Sequence, residues 1–343
     1  MTRTRIAIVG LGMAVTPHAR GLEDLRDSVE VVHAFAPSAE RRAAFAETFD
    51  FPLCDSLETI LSDDSVEAVL ILTPANTHLD IAERCAHAGK HVLLEKPVDI
   101  TTERAEAVVE ACRAAGVKLG VVLQHRFRPA GMKLAELLAD GALGEIVGCS
   151  TTIRLWRPQS YYDEPGRGSF ARDGGGVLMS QGIHTLDLML SLVGPVAEVA
   201  GFATTTRVHT METEDLVCAA ARFANGAFGT IDATTAAYPG FAERIEIIGS
   251  KGTASLIGTE LTVQLQSGEK TELAPDNSAG GTGADPMAFP HHYHRAVIAD
   301  FVAAIREDRP PRVTGEEALK VHRLIDALIE TGHSGTRVAV AGI

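Results

Sequence analysis

The stretch "HVLLEKPVD" at residues 91 to 99 sets an acid and an amine, Glu95 and Lys96, at the end of an apolar strand and closes it with Pro97. A lysine at a strand's C-terminal end stands where open α/β sheets bind ligands. Desolvation or a nearby positive charge there brings an ammonium towards working pH, and an adjacent acid opposes that. Pro97 biases Lys96 to extended backbone. His184 in "GGGVLMSQGIHTLD" is of a residue type that can carry a proton, although a lone histidine is more often a satisfied core residue. Asp187, three residues on, shares its helical face and is positioned to orient the imidazole. An amine and an imidazole suit oxidation of a secondary alcohol, where hydride leaves carbon while a proton leaves oxygen; the residue types leave open which of the two is the base.

Such chemistry needs a hydride acceptor, and the N-terminal residues read as a site for one. "RIAIVGLGMAV" is an apolar strand ending in Gly10 and Gly12, with a helix beginning near Pro17. In a dinucleotide site the first glycine permits the tight turn, and the second lets backbone approach the pyrophosphate at the helix N-terminus. Val15 stands where the motif asks for a third glycine or alanine, which loosens the match. Strand and helix signals then alternate through "VEVVHAF", "SAERRAAFAETF", "VEAVLILT", "HVLLE" and "VKLGVVL". The pattern predicts a doubly wound parallel sheet over residues 1–125. Where NAD sites usually place an acid after the second strand this chain has Ala36, followed by Ser38, Arg41 and Arg42. A small residue with a hydroxyl and a guanidinium favours a 2′-phosphate, so NADP is expected over NAD.

After Gln124 the rhythm changes to a second domain, 126–343. It opens with an amphipathic helix in "AGMKLAELLADGALG", continues in consecutive strand-like runs with short turns, and ends in two helices at about 291 to 306 and 315 to 331. The prediction is an α+β domain with an open, mostly antiparallel sheet. The segment "TTIRLWRPQSYYDEPGRGSFARDGGG" crowds Arg154, Arg157, Arg167 and Arg172 with Trp156, Tyr161 and Tyr162. Aromatic faces suit sugar rings and arginine forks suit carboxylates or phosphates; salt bridges to Asp163, Glu164 and Asp173 would give the same arginines a purely structural use. Arg126 in "QHRFRP" is a further substrate candidate. The stretch at 275 to 290 reads as a mobile loop or lid. "HHYH" at 291 to 294 resembles a metal set, yet no carboxylate partner is evident, and no metal is expected.

At 343 residues, two domains are the default. A net charge of −14 argues against nucleic acid or an anionic membrane as partner. The five cysteines lack any paired spacing and read as reduced, mostly buried thiols. No run of about 18 apolar residues stands out, and the N-terminus leaves no room for a signal peptide, so a cytoplasmic location is expected.

With these motifs in hand, the chain resembles the glucose–fructose oxidoreductase/inositol dehydrogenase/rhizopine-catabolism (Gfo/Idh/MocA) family. The resemblance rests on "IAIVGLG", "TPANTHLDIAERCAHAGKHVLLEKP", "RFRPAGMKLAELLADGALGEI", "GGGVLMSQGIHTLDLMLSLVGP" and "PPRVTGEEALKVHRLIDAL". It implies a Rossmann domain, a second domain whose sheet forms a homodimer or homotetramer interface, and hydride transfer between NAD(P) and a secondary alcohol or ketone of a sugar-like substrate. Residue by residue, it assigns Lys96 as the catalytic lysine and His184 as the catalytic histidine. It places Asn76 and His78 beneath the nicotinamide ribose, with Met13, Thr73, Pro74 and Glu95 among the cofactor contacts. Ser180 stands where relatives often carry aspartate and so counts with the substrate-facing residues. Two alternatives share the fold: a glycosidase that oxidises transiently and then re-reduces, and a non-catalytic sensor, which the retention of Lys96 and His184 speaks against.

Overall fold

The computed structural model describes residues 3–276 and 290–342. Most of the stretch read as a lid, residues 277–289, lies outside the described residues. The chain forms two compact units: residues 1–124 with 291–319, and residues 125–290 with 320–343.

In the first unit, five parallel strands run β1 (Thr4–Val9), β2 (Val29–Phe35), β3 (Ala68–Ile71), β4 (His91–Glu95) and β5 (Leu119–Val122). Their order is β2-β1-β3-β4-β5. Helices α1 (Val15–Asp24), α2 (Ala39–Ala46), α3 (Leu57–Ser62), α4 (His78–His87) and α5 (Thr102–Ala114) connect them. β3 and β5 are buried at every residue, as a sheet covered on both faces requires. The split at residue 125 therefore omits one element of this unit. The helix His292–Arg306 returns to it, seating Phe301 against Gly120, where an added Cβ would lie 2.7 Å from the ring. Its Val297, Ile298, Phe301 and Val302 form the buried stripe that needs this cover.

The second unit carries α6 (Pro129–Ala139), β6 (Ile146–Arg154), two single-turn helices α7 (Gln159–Tyr162) and α8 (Phe170–Asp173), and α9 (Ile183–Val193). Strands β7 (Val196–Thr204), β8 (Leu216–Phe223), β9 (Phe228–Thr234), β10 (Arg244–Gly249), β11 (Gly252–Ile257), β12 (Glu260–Leu265), β13 (Lys270–Leu273) and β14 (Val338–Ala339) complete a nine-stranded sheet, order β13-β12-β11-β10-β6-β9-β8-β7-β14. It is antiparallel except for the β6–β9 pair. β8 shows why one face is a core: Val217, Ala219, Ala221 and Phe223 are buried, while Cys218 and Ala220 face out. Cys218 is thus an exposed thiol, unlike the other four. One helical stretch, Phe170–Val193, is long and apolar enough to meet a membrane-span criterion that the sequence reading did not find met; 78% of its most apolar window is buried inside the protein, the behaviour of a core helix.

Candidate active site

In the first unit the glycine turn and Lys96 follow strands that lie on either side of β3. β1 and β4 flank β3 in parallel, so Gly10, Thr73 and Lys96 follow C-terminal ends on one edge of the sheet. Gly10 has φ +105°, and a Cβ there would stand 2.6 Å from the backbone of Leu72, so only glycine lets β1 leave the sheet this way. Among the described residues, a Cβ on Gly12 would meet nothing within 4 Å, which leaves open space over the turn. The first turn of α1 carries no acid and no side-chain cap. The Val15 N–H donates to the Gly12 carbonyl at 3.2 Å and Pro17 has no N–H, so what this end offers an anion is the helix dipole rather than a row of donors. These features fit a dinucleotide pyrophosphate. Met13 is 54% exposed beside them. Pro74 and Asn76 are exposed at the end of β3, and the Thr73 hydroxyl accepts from Thr77 at 2.8 Å.

Two residues expected among the cofactor contacts have other tasks. His78 is 1% exposed, with Nδ1 3.0 Å from the Pro97 carbonyl and Nε2 2.9 Å from that of Thr73. Its ring ties the loop after β3 to the loop after β4, and no face is left for a ribose. Glu95 is only 13% exposed, and both its oxygens are engaged. Oε1 accepts from His18 Nε2 at 2.9 Å and Oε2 from the Lys96 amide at 2.8 Å. Glu95 is therefore a support for Lys96. The Lys96–Pro97 peptide is cis.

In the second unit a π-helical turn, Leu178–Gly182, runs into α9. Along this buried segment the partly exposed residues before Ser191 are Ser180, Gln181 and His184. The buried carboxylate of Glu214 accepts from the amides of Gly176 and Leu178 at 3.0 and 3.1 Å and anchors the start of the segment. Burial raises its pKa, while these bonds favour the anion. A Cβ on Gly176 would run into the Glu214 carbonyl oxygen. Asp187, read as the partner that orients His184, is clasped by Arg126: Nε donates to Oδ2 at 2.7 Å and Nη2 to Oδ1 at 2.6 Å. This buried fork also makes Arg126 a structural residue rather than a substrate contact. The imidazole of His184 lies 4.9 Å from that of His125, which in turn meets Arg128.

The aromatic–arginine segment divides in two. Arg154 pairs with Asp232, Arg167 with Glu164, and Arg172 with Glu164 and Asp173, so three of its four arginines are neutralised in the fold. Arg157 is 8% exposed, donates from Nη1 to the Trp156 carbonyl at 2.8 Å, and places its guanidinium 5.7 Å from the Tyr161 ring centroid. Tyr161 also carries Arg167 at 4.6 Å and accepts from Gln181 at 3.3 Å, which brings it to the turn bearing Ser180. Trp156 is partly exposed and packs edge-on against Tyr238 at 5.5 Å.

The profile of an oxidoreductase family with an NAD-binding Rossmann fold matches residues 4–123, and that of the GFO/IDH/MocA C-terminal domain matches residues 132–255. A 1,5-anhydro-D-fructose reductase of Ensifer adhaerens is 31% identical, over 84% of this chain and 85% of the relative. The chain belongs to the GFO/IDH/MocA oxidoreductase family. The inositol 2-dehydrogenase of Rhizobium meliloti is 26% identical over 98% of this chain and 99% of its own length. Among solved structures, the WlbA dehydrogenase of Bordetella pertussis, in complex with NADH and UDP-GlcNAcA, superposes with a TM-score of 0.85 at 28% identity, covering 99% of each chain. This GFO/IDH/MocA protein is accordingly an NAD(P)-dependent oxidoreductase acting on CH–OH groups, in a family of sugar and polyol dehydrogenases.

Sequence reasoning missed several residues of this GFO/IDH/MocA chain that the fold brings to the candidate groups. His18 and His294 surround Glu95; His125 faces His184; Gln181 reaches Tyr161. His125 carried a signal in its place next to Arg126 in "QHRFRP", and His294 in the "HHYH" run; His18 and Gln181 depend on long-range packing.

The cluster around Glu95 makes the first unit acid-labile. Burial, with His18 and Lys96 as neighbours, lowers the His294 pKa from 6.5 to about 3. For Glu95, burial alone would raise the pKa, but the hydrogen bond from His18 and the surrounding cationic groups outweigh it and lower it from 4.5 to about 2. An unfolded chain takes up protons at both groups before the folded chain does. Stability is therefore lost as pH falls, through His294 from 6.5 to about 3 and through Glu95 from 4.5 to about 2. The slope at His294 is at most about 1.4 kcal/mol per pH unit. Urea midpoints should fall between pH 6.5 and 4.5, and His294→Leu should flatten that part of the curve; equal slopes in both proteins would contradict this.

Proposed function

We propose that this protein transfers hydride between NADP(H) and a secondary alcohol or ketone of a sugar or sugar-derived substrate, with Lys96 handling the hydroxyl proton and His184 as the second proton carrier or hydrogen-bond donor. The observation that carries the reading is Lys96 at the tip of β4, its amide held by a buried carboxylate, on the same sheet edge as the open glycine turn. A nicotinamide dinucleotide, when bound, supplies the hydride acceptor or donor. The backbone at Gly10, Gly12 and Met13 and the first turn of α1 would hold its pyrophosphate; Thr73, Pro74 and Asn76 line the neighbouring strand end. Lys96 takes the hydroxyl proton during oxidation and returns it during reduction.

The choice of NADP rests on Ala36, Ser38 and Arg41. Ser38 caps α2, its hydroxyl accepting from the Arg41 amide at 3.2 Å, and the Arg41 side chain is exposed. Arg42 is engaged elsewhere, donating to the carbonyls of Ala36 and Pro37 and pairing with Asp55. Arg41 is thus the guanidinium for a 2′-phosphate. Ala36→Asp should weaken NADPH binding about tenfold or more through like-charge repulsion and favour NADH. Fluorescence titration with both cofactors checks this; an unchanged preference would argue against a 2′-phosphate subsite here.

For the substrate, Tyr161 and Trp156 offer faces to a sugar ring, and the arginine-rich segment around them is the ground for including acidic sugars in the test. A panel of myo-inositol, neutral aldoses and uronic acids, read at the reduced-nicotinamide absorbance, tests the function. Equal rates on neutral and uronic sugars would remove the acidic preference, and no absorbance change with any of them would count against the reaction. The outward sheet face, with Phe202 76% and Phe228 66% exposed, supports a second copy of the chain as partner.

A further inference from the structure

The "HHYH" run suggested a metal set, and the fold takes it apart. His291 is at the surface, its Nε2 2.9 Å from Asp24 Oδ2, an oxygen that Arg295 also reaches at 3.2 Å. His294 turns inward, and its ring meets that of His18 at 4.8 Å and 81°. The His18 side chain, from α1, is fully buried. Three elements, α1, the tip of β4 and the returning helix, thus converge on one carboxylate, that of Glu95.

This is a costly arrangement for mere packing. His18 donates from Nε2 to Glu95, and its other nitrogen, Nδ1, is buried with no hydrogen-bond partner among the described residues. Native interiors rarely keep such an atom, and an apolar side chain of similar size would fill the place without that penalty. What the polar set achieves is a fixed anion beside Lys96. Glu95 Oε1 is tied to His18 and Oε2 to the Lys96 amide, so neither carboxylate nor backbone can swing.

We propose that His18, Glu95 and His294 are positioning residues for Lys96, and that the His18–Glu95 hydrogen bond sets the pH range over which Lys96 works. The proposal rests on the assignment of Lys96 above. The charged and titratable groups facing Glu95 are His18 from α1, Lys96 from its own strand end and His294 from the returning helix, with His291 behind His294. With the His18 bond intact, Glu95 stays ionised throughout the working range. Without it, the carboxylate takes up a proton at higher pH, and Lys96 loses both its anionic neighbour and its backbone anchor.

The test compares His18→Leu and His18→Asn, which remove the donor or leave it short of Glu95, with His18→Gln, whose amide can still donate. In Leu or Asn variants, kcat should fall about tenfold with dinucleotide Kd nearly unchanged, and the acid limb of the pH profile for alcohol oxidation should move down by about one unit, because a Lys96 without its anionic neighbour releases its proton at lower pH. His18→Gln should recover most of the turnover and the original profile. A second readout needs no substrate: competitive acetylation of Lys96 with acetic anhydride from about pH 6 to about pH 11, followed by peptide mass spectrometry. The labelling midpoint should shift in the Leu and Asn variants and stay in place in the Gln variant. Wild-type labelling and turnover in a folded, NADPH-binding Leu or Asn variant would overturn the proposal. So would stoichiometric divalent metal in the purified protein that the Leu variant loses, since His18, Glu95 and His294 offer ligand atoms within 4.8 Å of one another. Normal turnover in Lys96→Ala would overturn the functional reading instead, and the labelling experiment would still decide whether His18 acts on Lys96.

Discussion

Lys96→Ala is expected to cut kcat by about a thousandfold while leaving the NADPH dissociation constant nearly unchanged. The methyl group that remains cannot accept the proton that must leave the substrate hydroxyl as hydride departs. The cofactor cradle should persist, because it is built from the glycine turn and the first turn of α1, and because Glu95 is held by the amide of residue 96 and by His18, both retained in the variant. Lys96→Arg should recover little: a guanidinium keeps its charge and cannot act as a base at working pH. Single-turnover absorbance with saturating NADP and the best sugar of the panel reads the chemistry, and fluorescence titration reads binding. Turnover close to wild type would remove Lys96 from the mechanism.

Arg126→Met should lower stability by about 3–5 kcal/mol, the largest effect expected away from the chemistry. Asp187 has a fully buried side chain on α9, and the Arg126 fork covers both of its oxygens. Removing the guanidinium takes that compensation from a buried carboxylate. The double variant Arg126→Met/Asp187→Leu removes both charges and should regain most of the loss, because the interior then holds neither ion. Urea unfolding of the wild type, both single variants and the double variant forms the cycle. Additive losses would show that the pair is not coupled. The cycle also bears on His184, which lies three residues before Asp187 on the same helix: turnover lost in Arg126→Met and restored in the double variant would mean that the fork serves to hold α9 in place.

How much was legible followed from the range of the interactions. The five strands of the first sheet were readable because each is a short apolar run punctuated by glycines and helix signals, a purely local pattern. Lys96 was readable because its neighbours in sequence, Glu95 and Pro97, mark a strand end. The return of His292–Arg306 to the first unit was not, since nothing in its own residues says which sheet its apolar stripe will cover; Gly120 and Phe301, far apart in sequence, decide that. His78 illustrates the same limit. Its place after "TPANT" suggested a cofactor contact, and only the folded loops showed three backbone carbonyls, those of Thr73, Pro97 and Val98, closing around the ring.

By itself the sequence determined the architecture of alternating strands and helices, the glycine turn that leaves room for a dinucleotide, and the identity of the amine and imidazole on offer. These depend on residue type and spacing along a few turns of chain. Tertiary structure alone decided the partners of the buried charges: His18 beside Glu95, and the Arg126 fork on Asp187. A buried ion takes its partner from whichever element packs against it, and that choice is made across dozens of residues, by the need to compensate desolvation in the assembled core.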